Sequence, residues 1–319
     1  MPVADRKKTR PKVALVIGSG ALKCAAAFGV VKVLQREGVP IDLVVGCSGG
    51  AFCAAWVSGG GGDADAAAAQ FATEWTGAFD RVNYRSILGA IFPRLLRFAG
   101  HASIIDDRAL NRAIRAYAGD AQIEDRAVPL HLVATDFVGG EKVVLSRGPL
   151  FDAIRASIAL PLVLPPWHVD GRRLVDGAVS DPLPLDVAIR EGSDIILAVG
   201  FENALASTFE SGMGMVMQLQ SLMMNHLVRA QYAFHSLSHH AEVLPIIPEI
   251  ELRIGLKDVH LVPYLVECGE RAAEQQLPYL QRLLKAHDVD ARPSLHGPEP
   301  RIPEASCGAA CDPPARAKA

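Results

Sequence analysis

Apolar positions along the first sixty residues come in short runs broken by glycine. Val13–Ile17 is apolar throughout, turns at Gly18-Ser19-Gly20, and gives way to a helix-forming stretch from about Ala21 to Glu37 that Gly38 stops. Residues 41–45 repeat the pattern with one acid. Gly46-Cys47-Ser48-Gly49-Gly50 then turns the chain into an alanine-rich helix that ends in Ser58 and four glycines. Short apolar runs that each feed a helix predict parallel strands covered by helices. Further strands are expected at Leu130–Thr135, Lys142–Leu145 and Ile195–Val199. The last is apolar at every position, as in a strand buried on both faces.

The stretch from about 62 to 125 reads as mostly helical, and Ile87–Phe98 mixes large apolar side chains with Arg94 and Arg97. Between 204 and 240 a methionine-rich run places Met215, Val216, Leu219, Leu222, Met223 and Leu227 on one helical face. That face suits either the wall or cap of an acyl-chain site, since methionine adapts to irregular apolar ligands, or an ordinary core contact. We therefore expect a basic, disordered arm over 1–11, one domain over 12–288 (motif core 12–200, helical part 204–288) and a disordered Pro/Ala-rich tail over 289–319.

Composition narrows the partners. Half of the 319 residues are hydrophobic and the formal net charge is −3, which gives no argument for nucleic acid. No run of about 18 uncharged apolar residues is present to read as a membrane span. The six cysteines form no CxxC pair and read as reduced thiols, which favours a cytoplasmic setting, with peripheral membrane contact as an option.

The chemistry centres on Ser48. Gly-X-Ser-X-Gly where a strand enters a helix is the pattern of a nucleophile elbow. The turn strains the serine backbone, Gly46 and Gly50 remove colliding side chains, and the next helix offers its positive end to an oxyanion. The serine needs a base. All ten histidines follow Ser48, but none carries an obvious loop signature. Asp176 follows an apolar run and precedes Gly177, whose freedom lets the chain turn sharply, and Asp136 is a rival carboxylate. Gly18-Ser19-Gly20-Ala21-Leu22-Lys23 fails as a dinucleotide fingerprint, because Lys23 stands where a glycine is needed. It remains a glycine loop whose N–H groups lie beside the Ser48 turn.

These pieces together resemble the bacterial branch of the patatin-like phospholipase family. The resemblance is carried by residues 18–23, by GlyCysSerGlyGly at 46–50, AlaThrAsp at 134–136, AlaIleArgAlaSerIleAlaLeuPro at 153–161 and LeuValAspGlyAlaValSerAspProLeuPro at 174–184. It implies a three-layer α/β/α fold with a mainly parallel central sheet. It also implies a lipid acyl hydrolase that needs no metal or organic cofactor and acts on phospholipids, lysophospholipids or related acyl esters. Carried over by motif, Ser48 is the nucleophile, Asp176 the base, and the backbone of Gly18, Ser19, Gly20 and Ala21 the oxyanion hole. Lys23 stands where the family shows a basic residue. Cys24 replaces the glycine usual after it.

Overall fold

The computed structural model describes residues 10–79, 83, 104–203, 205, 207–208, 212–236 and 241–290. The Ile87–Phe98 stretch, most of the N-terminal arm and the tail beyond Asp290 lie outside the described residues. Arg10, at the end of the arm, is paired with Asp42.

An eight-stranded sheet forms the middle layer. Its order is β5 (Trp167–Val169), β6 (Arg172–Asp176), β3 (Leu130–Asp136), β2 (Leu43–Cys47), β1 (Val13–Ile17), β7 (Ile195–Val199) and β8 (Glu242–Ile246), with β4 (Lys142–Leu145) also paired to β3. The run β3-β2-β1-β7-β8 is parallel, and β4, β5 and β6 add antiparallel pairings beside β3. β1, β2 and β7 are buried at all five positions, as expected of parallel strands covered on both faces.

Two apolar cores flank the sheet. On one face, Val13, Leu15 and Ile17 pack with α1 (Ala26–Arg36), α2 (Gly50–Ser58), α3 (Ala64–Trp75) and the long C-terminal α8 (Val262–Asp290). α4 (Arg108–Ala118) and α5 (Leu150–Ser157) extend that core. On the other face, Ala14 and Val16 pack with α6 (Leu185–Arg190) and with Val228 of α7 (Gly212–Ser236). This is a three-layer α/β/α fold with a mainly parallel sheet.

Several elements differ from the sequence reading. β2 begins two residues later than expected and carries Gly46 and Cys47 within it. The first helix opens as a 3-10 turn, Ala21–Ala25, before α1. β5, β6 and β8 are not among the expected strands, since none is apolar throughout. β6 starts on the exposed pair Arg172-Arg173, and β8 contains Pro245, which an outer strand tolerates. In α7 the apolar stripe is not core: Met215, Val216, Leu219 and Met223 are exposed, while Asn225 and Val228 are buried. The buried face contains a polar group because Asn225 is fully used. Its side chain accepts from Asn203 N–H at 2.8 Å and donates to Asn203 O at 2.9 Å.

Candidate active site

Two strand–helix corners meet at the carboxyl ends of β1 and β2. At the second corner, Ser48 adopts φ +56, the strained left-handed region that an elbow imposes. The glycines around it are sterically required. A Cβ on Gly46 would lie 2.7 Å from the Cβ of Ala54, and one on Gly50 would lie 2.6 Å from Ile17 O. A Cβ on Gly49 would meet Ala21 O at 2.4 Å, so the glycine loop is pressed against the elbow. The turn is also locked from behind. Ser48 N–H donates to Ser157 Oγ at 3.0 Å, and Ser157 Oγ–H donates to Val133 O at 2.7 Å.

Ser48 Oγ–H donates to Asp176 Oδ2 at 2.6 Å, across 128 positions of sequence. Asp176 ends β6, which pairs antiparallel with β3 and thereby delivers the carboxylate beside the elbow. Gly177 permits this, because a Cβ there would lie 2.3 Å from Val133 O. The other oxygen, Asp176 Oδ1, accepts Ala178 N–H at 2.8 Å, and Thr135 Oγ1–H donates to Asp176 O at 2.9 Å. Asp176 is almost fully buried. Burial pushes its carboxyl up to about 7, against the opposing pull of the Ser48 and Ala178 hydrogen bonds.

The rival groups sit elsewhere. Asp136 Oδ1 accepts Val138 and Gly139 N–H in the turn after β3, and those bonds hold its carboxyl below the usual range. Among the histidines with described side chains, His131 faces Glu191 at 3.7 Å, while His168, His226 and His260 are exposed; none lines the cleft over Ser48. His101, His239, His240 and His296 lie outside the described residues, as do the side chains of His235 and His287.

The glycine loop divides into spent and open donors. Gly18 N–H donates to Val199 O at 2.9 Å and Ser19 N–H to Pro182 O at 2.8 Å. These two are structural, which corrects their expected place among the oxyanion donors. Gly20 and Ala21 line the cleft with Ser48 and Asp176. Cys24, with the added Cβ, fits beneath the loop and donates its thiol to Gly18 O. Lys23 also lines the cleft. Its Nζ donates to Glu202 O at 2.7 Å and Asn203 Oδ1 at 2.8 Å, and burial lowers it to about 8.

The cleft measures about 360 Å³. Its apolar lining is Leu22, Leu160, Met217, Met224, Ile250 and Leu256, and α7, which carries the two methionines, adds Gln220 and Ser221. Three features were not foreseen from the sequence: the Ser157 lock, the part played by the loop after β8, and Met217 and Met224 as the cleft-facing methionines. The pattern AlaIleArgAlaSer was the available signal for the first. The other two depend on how distant elements pack.

The chain is similar to several known proteins. A family model described as patatin-like phospholipase matches residues 15–189, more than half of the chain. An uncharacterised NTE family protein of Mycobacterium tuberculosis is 35% identical over 201 residues, which covers 63% of this chain and 52% of that protein. Human patatin-like phospholipase domain-containing protein 6 is 33% identical over 196 residues, 61% of this chain and 14% of its own length. The chain thus spans about half the length of the mycobacterial relative and a small part of the human one. The solved structure of human GIVD cytosolic phospholipase A2 in complex with methyl gamma-linolenyl fluorophosphonate superposes with a TM-score of 0.49 at 13% identity, covering 91% of this chain and 61% of that one.

Proposed function

The chain belongs to the patatin-like phospholipase family, and on that premise we propose that it is a serine hydrolase of lipid acyl esters working through a Ser48–Asp176 dyad. The observation that carries the reading is the 2.6 Å hydrogen bond from Ser48 Oγ to a buried carboxylate at the floor of a cleft. Ser48 Oγ attacks the ester carbonyl as its proton passes to Asp176 Oδ2. The carbonyl oxygen, now negative, is stabilised by the N–H groups of Gly20 and Ala21 and by the N-terminus of α2. The C–O bond to the alcohol breaks and the alcohol leaves with the proton held by Asp176. Water then attacks the acyl-serine, giving its proton to Asp176, and the fatty acid departs as Ser48 regains its hydrogen.

Desolvation makes the carboxylate a usable base. A carboxyl near 7 is better matched to a serine proton than one near 4, and an oxyanion stabilised by preorganised donors supplies the rest. The acyl chain is placed along Met217, Met224, Ile250 and Leu256. Contact with a lipid surface is part of the proposal. Exposed Phe137, Leu205, Ile247 and Leu252 follow the carboxyl ends of β3, β7 and β8, the same end of the sheet as Ser48. No helix among the described residues is long and apolar enough to cross a membrane.

The test is covalent labelling with a fluorophosphonate, read by intact mass. The native protein is expected to gain one adduct and Ser48→Ala none. Equal labelling of both would end the assignment.

A further inference from the structure

We infer that Arg253 anchors an anionic headgroup, so that the cleft prefers esters whose alcohol portion carries a phosphate; the inference rests on the hydrolase reading above. Four ionisable side chains line the cleft: Lys23, Asp176, Glu202 and Arg253. Three have work already. Glu202 is held by Arg229 through two hydrogen bonds of 2.9 and 2.8 Å. Asp176 is bonded to Ser48 and Ala178. Lys23 is fixed on two neutral oxygens, and the Glu202 carboxylate adds a smaller electrostatic pull. Arg253 is exposed at the rim and has no partner among the described residues.

The segment that carries Arg253 is pinned. Glu251 N–H donates to Tyr264 Oη at 3.1 Å, Gly255 N–H to Asp258 Oδ2 at 2.7 Å, and Trp75 Nε1–H to Leu256 O at 2.7 Å. The held backbone fixes where the side chain starts, and the planar guanidinium offers a fork for two phosphate oxygens, although its free rotamers must still be ordered on binding. Of the nearby acids, Glu251 and Asp258 do not line the cleft, and Asp258 is turned onto Gly255 N–H within its own loop. Leu252, Ile254 and Leu256 flank Arg253 on the same wall, so one segment offers apolar contact to the acyl portion and a cation to the headgroup.

The test compares Arg253→Gln with the native protein on two monomeric substrates: dihexanoyl phosphatidylglycerol below its aggregation concentration and uncharged p-nitrophenyl butyrate. The ratio of kcat/KM, phospholipid over neutral ester, is expected to fall about tenfold, mainly through KM, with partial recovery in Arg253→Lys. A ratio unchanged within twofold would overturn the inference. Titration of the same phospholipid into Ser48→Ala and Ser48→Ala/Arg253→Gln needs no turnover. Binding should weaken about tenfold in the double variant, and equal affinities overturn the headgroup role even if the hydrolase reading fails. Inorganic phosphate is the third arm. Should it inhibit the native enzyme through Arg253 while phospholipid affinity ignores the substitution, the site is one for free phosphate and the headgroup assignment falls.

Discussion

At the scale of single residues, Asp176, the proposed base, also carries a stability cost. Its carboxyl is raised from the ordinary 3.8 to about 7, first because it is buried. Between those values the folded protein keeps a proton that the unfolded chain has released. The contribution of this group to stability is therefore intact below about pH 4 and is lost as pH rises through 7. Asp176→Asn removes that loss. Urea melts should show the variant more stable than the native protein at pH 8, by on the order of a few kcal/mol, with the gap closing by pH 4. Activity runs the other way. The base must be ionised, so native kcat/KM should rise with pH through an inflection near 7. Asp176→Asn should lose at least about a hundredfold in kcat and show no such inflection. Near-normal turnover in that variant would remove the dyad. Strain is also stored in the glycine loop, where Ala21 has φ +49 without being glycine. Ala21→Gly is expected to raise stability by about 1 kcal/mol in the same urea assay, because a left-handed alanine costs more than the added freedom of an unfolded glycine. The residues that sequence made legible here are those whose neighbours must be small: Ser48 between Gly46 and Gly50, and Asp176 before Gly177. Ser157 was legible only as part of a family pattern, AlaIleArgAlaSer; that its hydroxyl faces a turn more than a hundred positions away depends on packing.

At the scale of elements, the α1–α8 crossing is decided by two glycines. A Cβ on Gly29 would lie 2.0 Å from Val266 O, and one on Gly269 would lie 1.8 Å from Ala26 O. The two backbones therefore touch, and neither side can yield by moving a flexible side chain. Gly269→Ala is expected to destabilise the protein by about 2–3 kcal/mol, read as a lower urea midpoint at unchanged slope, although alanine is the better helix former. A stabilised variant would mean that the crossing has room to open. Legibility at this scale followed burial. Strands buried on both faces announced themselves as apolar runs, whereas β6, which carries Asp176, opens on two exposed arginines and hid its own start. In α7 the helical periodicity held, and of the two readings of its apolar face the core contact fails. The apolar stripe faces outward, and the inward face is held by Asn225, whose bonds to Asn203 reach Lys23 through Asn203 Oδ1. That chain ties the cleft wall to the glycine loop. Asn225→Ala should loosen the wall and raise KM for acyl esters severalfold while native-like fluorophosphonate labelling of Ser48 persists.

At the scale of the whole molecule, the family motifs end well before the fold does. The family match stops at residue 189, yet β7 completes the sheet beside β1, and β8 covers the far edge of β7. α8 supplies Val262, Leu265, Val266, Ala273 and Leu280 to the same core that holds α1 and α2. Trp75 Nε1–H, from α3, reaches Leu256 O in the loop after β8, so early and late segments also share the wall of the cleft. A chain cut after Asn203 would keep Ser48, Asp176 and every motif legible in the sequence. It would leave the outer edge of β7 unpaired and the α8-facing side of α1 bare to water, with Gly29 at its centre. Unpaired edges and exposed apolar faces favour association over folding. The full chain is therefore expected to unfold in one transition, with tryptophan fluorescence and far-ultraviolet circular dichroism coincident in urea. The 1–203 fragment is expected to aggregate or to show no cooperative transition, and to take no fluorophosphonate on Ser48. A soluble fragment that unfolds cooperatively and labels at the native rate would show that residues 1–203 fold alone and that the later helices only decorate the cleft.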